Sequence, residues 1–134
     1  MVAPKNSRQC TMVLGLAAAL IFALSPAKAQ QLCDVEGVGS PDPNKVLQWK
    51  LTTHAGTTCT YSIVPPDNWI NLNRHVVTPP AHGKAGFSDS THLAYRPAPG
   101  FTGGDSFVIE IDRKIRETGE RIRRVIAFEV TVLP

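Results

Sequence analysis

Beyond residue 45 the chain alternates apolar and polar positions in short runs, each closed by glycine, proline, asparagine or aspartate. In residues 46–51 (VLQWKL), Leu47, Trp49 and Leu51 share one face and Val46, Gln48 and Lys50 the other, the period of a half-buried strand. Residues 59–64 (CTYSIV) gather Cys59, Tyr61 and Ile63. Pro65-Pro66-Asp67-Asn68 then ends the run, because proline gives a sheet ladder no donor. Residues 69–77 are less regular, and Ile70, Leu72 and His75-Val76-Val77 predict short strands rather than one bent strand. Gly83 and Gly86, flanking Lys84, predict a turn. Leu93 and Tyr95 belong to the next strand, Pro97-Ala98-Pro99-Gly100 makes a corner, and two longer alternating runs close the chain. Phe107, Ile109 and Ile111 lie inward in the first, and Ile126, Phe128, Val130 and Val132 in the second. This spacing predicts an all-β, antiparallel Greek-key sandwich of about seven strands, with no amphipathic helix.

The last hairpin has a predicted register. A turn centred on Thr118-Gly119 pairs Ile115 with Ile122, Ile111 with Ile126, Ile109 with Phe128 and Phe107 with Val130, all on one face, as burial requires. Lys114 then faces Arg123, and Arg116 faces Arg121. Opposed like charges are mildly destabilising, so the tip is expected to protrude into water.

The N-terminal region follows other rules. Lys5 and Arg8 precede an uncharged apolar run over residues 12–24, and Ala27-Lys28-Ala29 supplies a small-x-small cleavage pattern. That is a signal peptide, residues 1–29, too short for a stable membrane span. Residues 30–134 are then one domain, led in by an extended segment at 30–45 that carries Gly37, Gly39, Pro41 and Pro43. Cleavage changes the charge. The 14 basic residues include Lys5, Arg8 and Lys28, which leaves 11 against 11 acidic residues in the remainder. A neutral domain gives no reason to expect nucleic acid as partner. Export also makes Cys33 and Cys59 a pair in an oxidising compartment, where a disulfide is the default, stabilising by roughly 3 kcal/mol through loop closure. The expected location is the periplasm or the outside of the cell, and the expected state is a monomer.

The segments TPPAHGKAGF and LAYRPAPGFTGGDSF, with the closing hairpin, carry a spaced pattern: Pro80, His82, Gly83, Tyr95, Pro97, Gly100, Phe101, Gly103, Asp105, Phe107, Val130 and Val132. It resembles the bacterial immunoglobulin-like and cadherin-like modules that occur in tandem in large surface proteins, here as a single exported module. The resemblance spans residues 78–133 and implies a sandwich used for adhesion, spacing or ligand presentation. Within it, Phe101 and Phe107 suit core anchoring, Tyr95 suits a buried ring with a partnered hydroxyl, and Asp105 suits bonding to turn amides.

Catalytic and metal patterns are sparse. His54, His75, His82 and His92 form no HExxH or His-x-His, and Asp105 and Asp112 lack the clustered spacing of a calcium loop. There is no GxSxG and no phosphate-cradling glycine loop. The expectation is a protein without enzymatic activity, metal or cofactor. The sharpest surface feature is the basic hairpin: Arg113, Lys114, Arg116, Arg121, Arg123 and Arg124. It predicts docking to an anionic glycan or acidic protein, or else a solvated edge whose charges pair with Glu110, Asp112, Glu117 and Glu120 and block edge-to-edge aggregation. Trp69, after the Pro-rich turn, is either a stacking platform or the cap of one end of the core. Two functions follow: a non-catalytic exported binding module for an anionic envelope partner, or a small periplasmic inhibitor or accessory subunit that docks on one protein.

Overall fold

The computed structural model describes residues 33–134. The expected signal peptide at 1–29 lies outside the described residues, as do residues 30–32 of the lead-in. Eight strands follow in order: β1 (Cys33–Glu36), β2 (Leu47–His54), β3 (Cys59–Ser62), β4 (Trp69–Thr78), β5 (Gly83–Phe87), β6 (His92–Pro97), β7 (Gly103–Ile115) and β8 (Arg121–Leu133). They form a five-stranded sheet, β1-β2-β8-β7-β4, and a three-stranded sheet, β3-β6-β5. Among the described residues there is no helix, and none long and apolar enough to cross a membrane. The architecture is an all-β sandwich.

The alternation read from the sequence fills the space between the sheets. Leu51, Phe107, Ile109, Ile111, Phe128, Val130 and Val132 are buried from the larger sheet, and Cys59, Leu93 and Tyr95 from the smaller. Each such large apolar side chain contributes about 1.5–3 kcal/mol. A row of rings crosses the core. Tyr95 stacks on Phe107 with centroids 5.7 Å apart, Phe107 stacks on Phe128 at 4.6 Å, and Trp49 meets both Phe128 and Tyr61 edge-on. The Cys33–Cys59 disulfide ties edge strand β1 of one sheet to edge strand β3 of the other.

Several expectations need correction. The sandwich is not wholly antiparallel, because β2 and β8 pair in parallel, from Leu47 opposite Ile126 to His54 opposite Leu133. Almost the whole domain separates these strands in sequence, so no tight turn constrains their direction, and this register keeps both apolar faces inward. Among the described residues there are eight strands, where about seven were expected. The lead-in contains β1, whose Cys33 and Val35 turn toward the core while Asp34 and Glu36 face solvent. Residues 83–87 are strand β5, not a turn. A Cβ on Gly83 would lie 2.5 Å from the Arg96 carbonyl oxygen, so this glycine serves close backbone approach. Residues 69–78 form one long strand, with register shifts between Asn71 and Asn73 and between Val76 and Thr78 absorbing the irregular pattern.

The last hairpin is shifted by two residues from the expected register. Phe107 faces Phe128, Ile109 faces Ile126, and Lys114 faces Arg121. The inward face survives because side chains alternate with period two. A two-residue turn on Thr118-Gly119 would put a β-branched threonine at positive φ, and among the described residues no non-glycine adopts that region. Instead Gly119 alone does, at φ 73°, closing the loop Arg116-Glu117-Thr118-Gly119. The Gly119 N–H donates to the Ile115 carbonyl at 2.9 Å, and the Ile115 N–H to that of Glu120 at 2.8 Å.

Candidate functional site

The new register sorts the six hairpin cations into two sets. Arg113 and Arg124 share the inward face with buried Ile111 and are half-buried. Arg113 Nε donates to Asn71 Oδ1 at 3.0 Å, and burial together with neighbouring Arg124 pulls its guanidinium below the usual value. Asn71 in turn donates toward the Ile63 and Ser90 carbonyls, so Arg113 joins a bridge between the sheets. Arg124 donates to the carbonyls of Ser40 and Asp42 and fastens the segment between β1 and β2. Arg123 lies on the solvent face, 3.1 Å from Asp112 and 3.2 Å from Glu110. The hydrogen bond it donates to Asp112, reinforced by the negative charges of Glu110 and Asp112, holds its guanidinium above the usual value. Each of these three arginines has a partner within the chain.

The other set is different. Lys114 and Arg121 face each other directly across β7 and β8 on the solvent side, with Arg116 exposed at the loop. Among the described residues none of the three makes an ion pair. Glu110 and Asp112 are engaged by Arg123, Glu110 also lies 3.7 Å from His75, and among the described residues Glu117 and Glu120 make no ion pair. A cavity of about 450 Å³ adjoins this end, lined by Leu72, Asn73, Asp112, Arg121, Ile122 and Arg123.

Trp69, expected to belong to a separate patch, arrives at the same end of the sheet. It opens β4 opposite Ile115, and the Arg116 N–H donates to the Asn68 carbonyl at 2.8 Å, fixing the Pro-rich turn against the hairpin loop. Its side chain is half-buried. Leu72 and Asn73, which sequence reasoning did not single out, reach the cavity because the β4 register shift between Asn71 and Asn73 carries them beside Asp112. Only an assumed β4–β7 pairing would have signalled them.

At the opposite end of β7, the Gly/Pro corner is held by one carboxylate. Asp105 accepts hydrogen bonds from the amides of Ala81 (3.0 Å), His82 (3.1 Å) and Ser106 (2.9 Å) and from the Tyr95 hydroxyl (2.8 Å). Burial pushes the Asp105 carboxyl up, but these four donors outweigh it and hold it below its usual value. Burial, with Asp105 beside it, raises the Tyr95 phenol far above its usual range. Pro97 and Phe107 are buried, and Phe101 packs half-buried at the core's margin. Gly100 and Gly103 take φ of 75° and 120°. Asp105 thereby binds the corner to Ala81, His82 and Tyr95 of the same chain.

Among the described residues no group of three or more His, Cys, Asp or Glu side chains is placed to hold a metal ion. No protein-family model and no curated protein matches the chain. Among solved structures it is similar to an endo-fucoidan hydrolase of glycoside hydrolase family 107, at 12% identity and a TM-score of 0.37, over 81% of this chain but only 15% of that one.

Proposed function

We propose that the protein is a non-catalytic, exported immunoglobulin-like binding module that docks an anionic envelope partner, such as an acidic glycan, through the end of the sandwich bearing Lys114, Arg116, Arg121 and Trp69. One observation carries this reading: Lys114 and Arg121 stand opposed and among the described residues neither makes an ion pair, although Glu110 and Asp112 lie on the same face. A hairpin protected only against aggregation would gain from spreading its acids among its cations. Here Glu110 and Asp112 are spent on Arg123, while Lys114, Arg116 and Arg121 stand at the tip with Glu117 and Glu120. Trp69 opens β4 at the same end of the sheet, opposite Ile115. The motif from Pro80 to Phe107 supports the immunoglobulin-like assignment, and the disulfide fits an oxidising compartment.

The test is retention on an immobilised acidic polysaccharide along a salt gradient. Exchanging Lys114, Arg116 and Arg121 for serine should weaken binding about tenfold, each exposed cation contributing up to about 1 kcal/mol. The Arg123→Ser variant should retain most of it. Equal retention of the triple variant and the parent would end the proposal.

A further inference from the structure

The three-stranded sheet carries a second set of opposed cations. β5 and β6 place Lys84 directly across from Arg96, both exposed on the face away from the core, and among the described residues neither makes an ion pair. The pair borders a cavity of about 510 Å³ whose other walls include His82, Pro97 and Pro99. No carboxylate lines it.

His82 is prepared as a flat wall. Its imidazole stacks on Phe101, with centroids 4.4 Å apart and planes 6° from parallel. Its backbone N–H donates to Asp105, and its carbonyl accepts from Ala98 at 2.8 Å. The ring is thus supported from beneath while the residue stays exposed.

The cavity combines an apolar wall, made by a held ring and prolines, with a strongly positive edge. A small free oxyanion would use only the cations, and a neutral sugar would leave them opposed. A carboxylate on a ring with an apolar C–H face uses both. We propose that this cavity binds an acidic sugar unit, with its carboxylate between Lys84 and Arg96 and its ring face against His82 and Pro99. The site is separate from the hairpin end, since it lies on the other sheet. Asp105, which anchors His82, is also about 30 Å along β7 from Lys114.

The experiment is a titration of the ¹⁵N-labelled protein with trigalacturonate, followed by amide chemical shifts, with acetate, maltotriose and triglutamate as comparison probes. Trigalacturonate should give saturable shifts centred on His82, Gly83, Lys84, Arg96 and Ala98, with Kd near about 1 mM. The Lys84→Ser/Arg96→Ser variant, both positions being exposed, should raise Kd about tenfold. The Lys114→Ser/Arg121→Ser variant should leave it unchanged. The proposal is overturned if no saturable shifts appear by about 10 mM, if acetate or maltotriose reproduces them, or if triglutamate binds there at least as tightly. Should the double variant lose the parent's dispersed spectrum, the comparison of probes on the parent decides alone.

Discussion

The Tyr95→Phe substitution removes one hydroxyl from a fully buried ring and leaves the apolar packing on Phe107 in place. What is lost is a 2.8 Å hydrogen bond to an ionised carboxylate. Bonds to charged groups contribute about 1.5–3 kcal/mol. Asp105 keeps the amides of Ala81, His82 and Ser106, so it is not orphaned and the expected loss lies at the lower end, about 1.5–2 kcal/mol. Against a typical total of about 5–15 kcal/mol this is readily measured, and it lowers Tm by roughly 10 °C. The pH dependence gives the sharper check. Asp105 is depressed in the folded protein, so its contribution is present above its unfolded value of about 3.9 and fades as pH falls through the lower native value. The Tyr95→Phe deficit should therefore be full at about pH 7 and shrink at a pH below the ordinary carboxylate range. Urea unfolding at both pH values, repeated in an Asp105→Asn background where the cost should fall, measures it. A loss below about 0.5 kcal/mol at neutral pH, or an equal loss at both, would refute the assignment of Asp105 as an ionised clasp.

The remaining predictions concern the N-terminal edge. A Cβ on Gly37 would lie 2.2 Å from Trp49 Cγ, and that ring is already held by Tyr61, Phe128 and a bond to the Val38 carbonyl. Gly37→Ala should therefore cost about 1–3 kcal/mol and shift tryptophan emission, whereas Gly39→Ala, with nothing near its Cβ, should be neutral in the same unfolding assay. Reducing the Cys33–Cys59 disulfide opens a closure of 26 residues and should lower stability by about 3 kcal/mol, read as a fall in urea midpoint with dithiothreitol. A midpoint that does not move would mean that the β1–β2 ladder holds the edge unaided.

The period-two pattern made the inward residues legible, from Leu47 and Leu51 through Val132, because burial on one face leaves a direct trace in residue type. It could not reveal which strands are neighbours. The parallel pairing of β2 with β8 depends on how distant segments meet, and nothing local encodes it. Glycine misled at β5, where Gly83 reads as a turn but sits in a strand because the Arg96 carbonyl passes so close. That error also hid the Lys84–Arg96 pair, which is visible only once residues 83–87 are aligned against 93–97. The hairpin cations were all legible as residues, but their division was not. Whether an arginine faces Asp112, the Ser40 carbonyl or another cation depends on register, and the register depends on Thr118 refusing a left-handed backbone.

That refusal matters for more than shape. With a tight turn on Thr118-Gly119, Arg123 would face Lys114, and Arg121 would face Arg116. The larger loop closed by Gly119 instead gives Arg123 to Asp112 and leaves Lys114 against Arg121. Opposed like charges cost roughly 0.2–1 kcal/mol, and a glutamate at either position would reverse the sign. The chain makes the same choice again at Lys84 and Arg96, on the other sheet and through an unrelated hairpin. Among the described residues neither pair makes an ion pair, and Arg121 and the Lys84–Arg96 pair each line a cavity, with Asp112 sharing the one beside Arg121. Stability gives no reason for this arrangement at two independent places, whereas an anionic ligand arriving from solvent gives the same reason at both: it would relieve the repulsion on binding and convert a small folding cost into affinity.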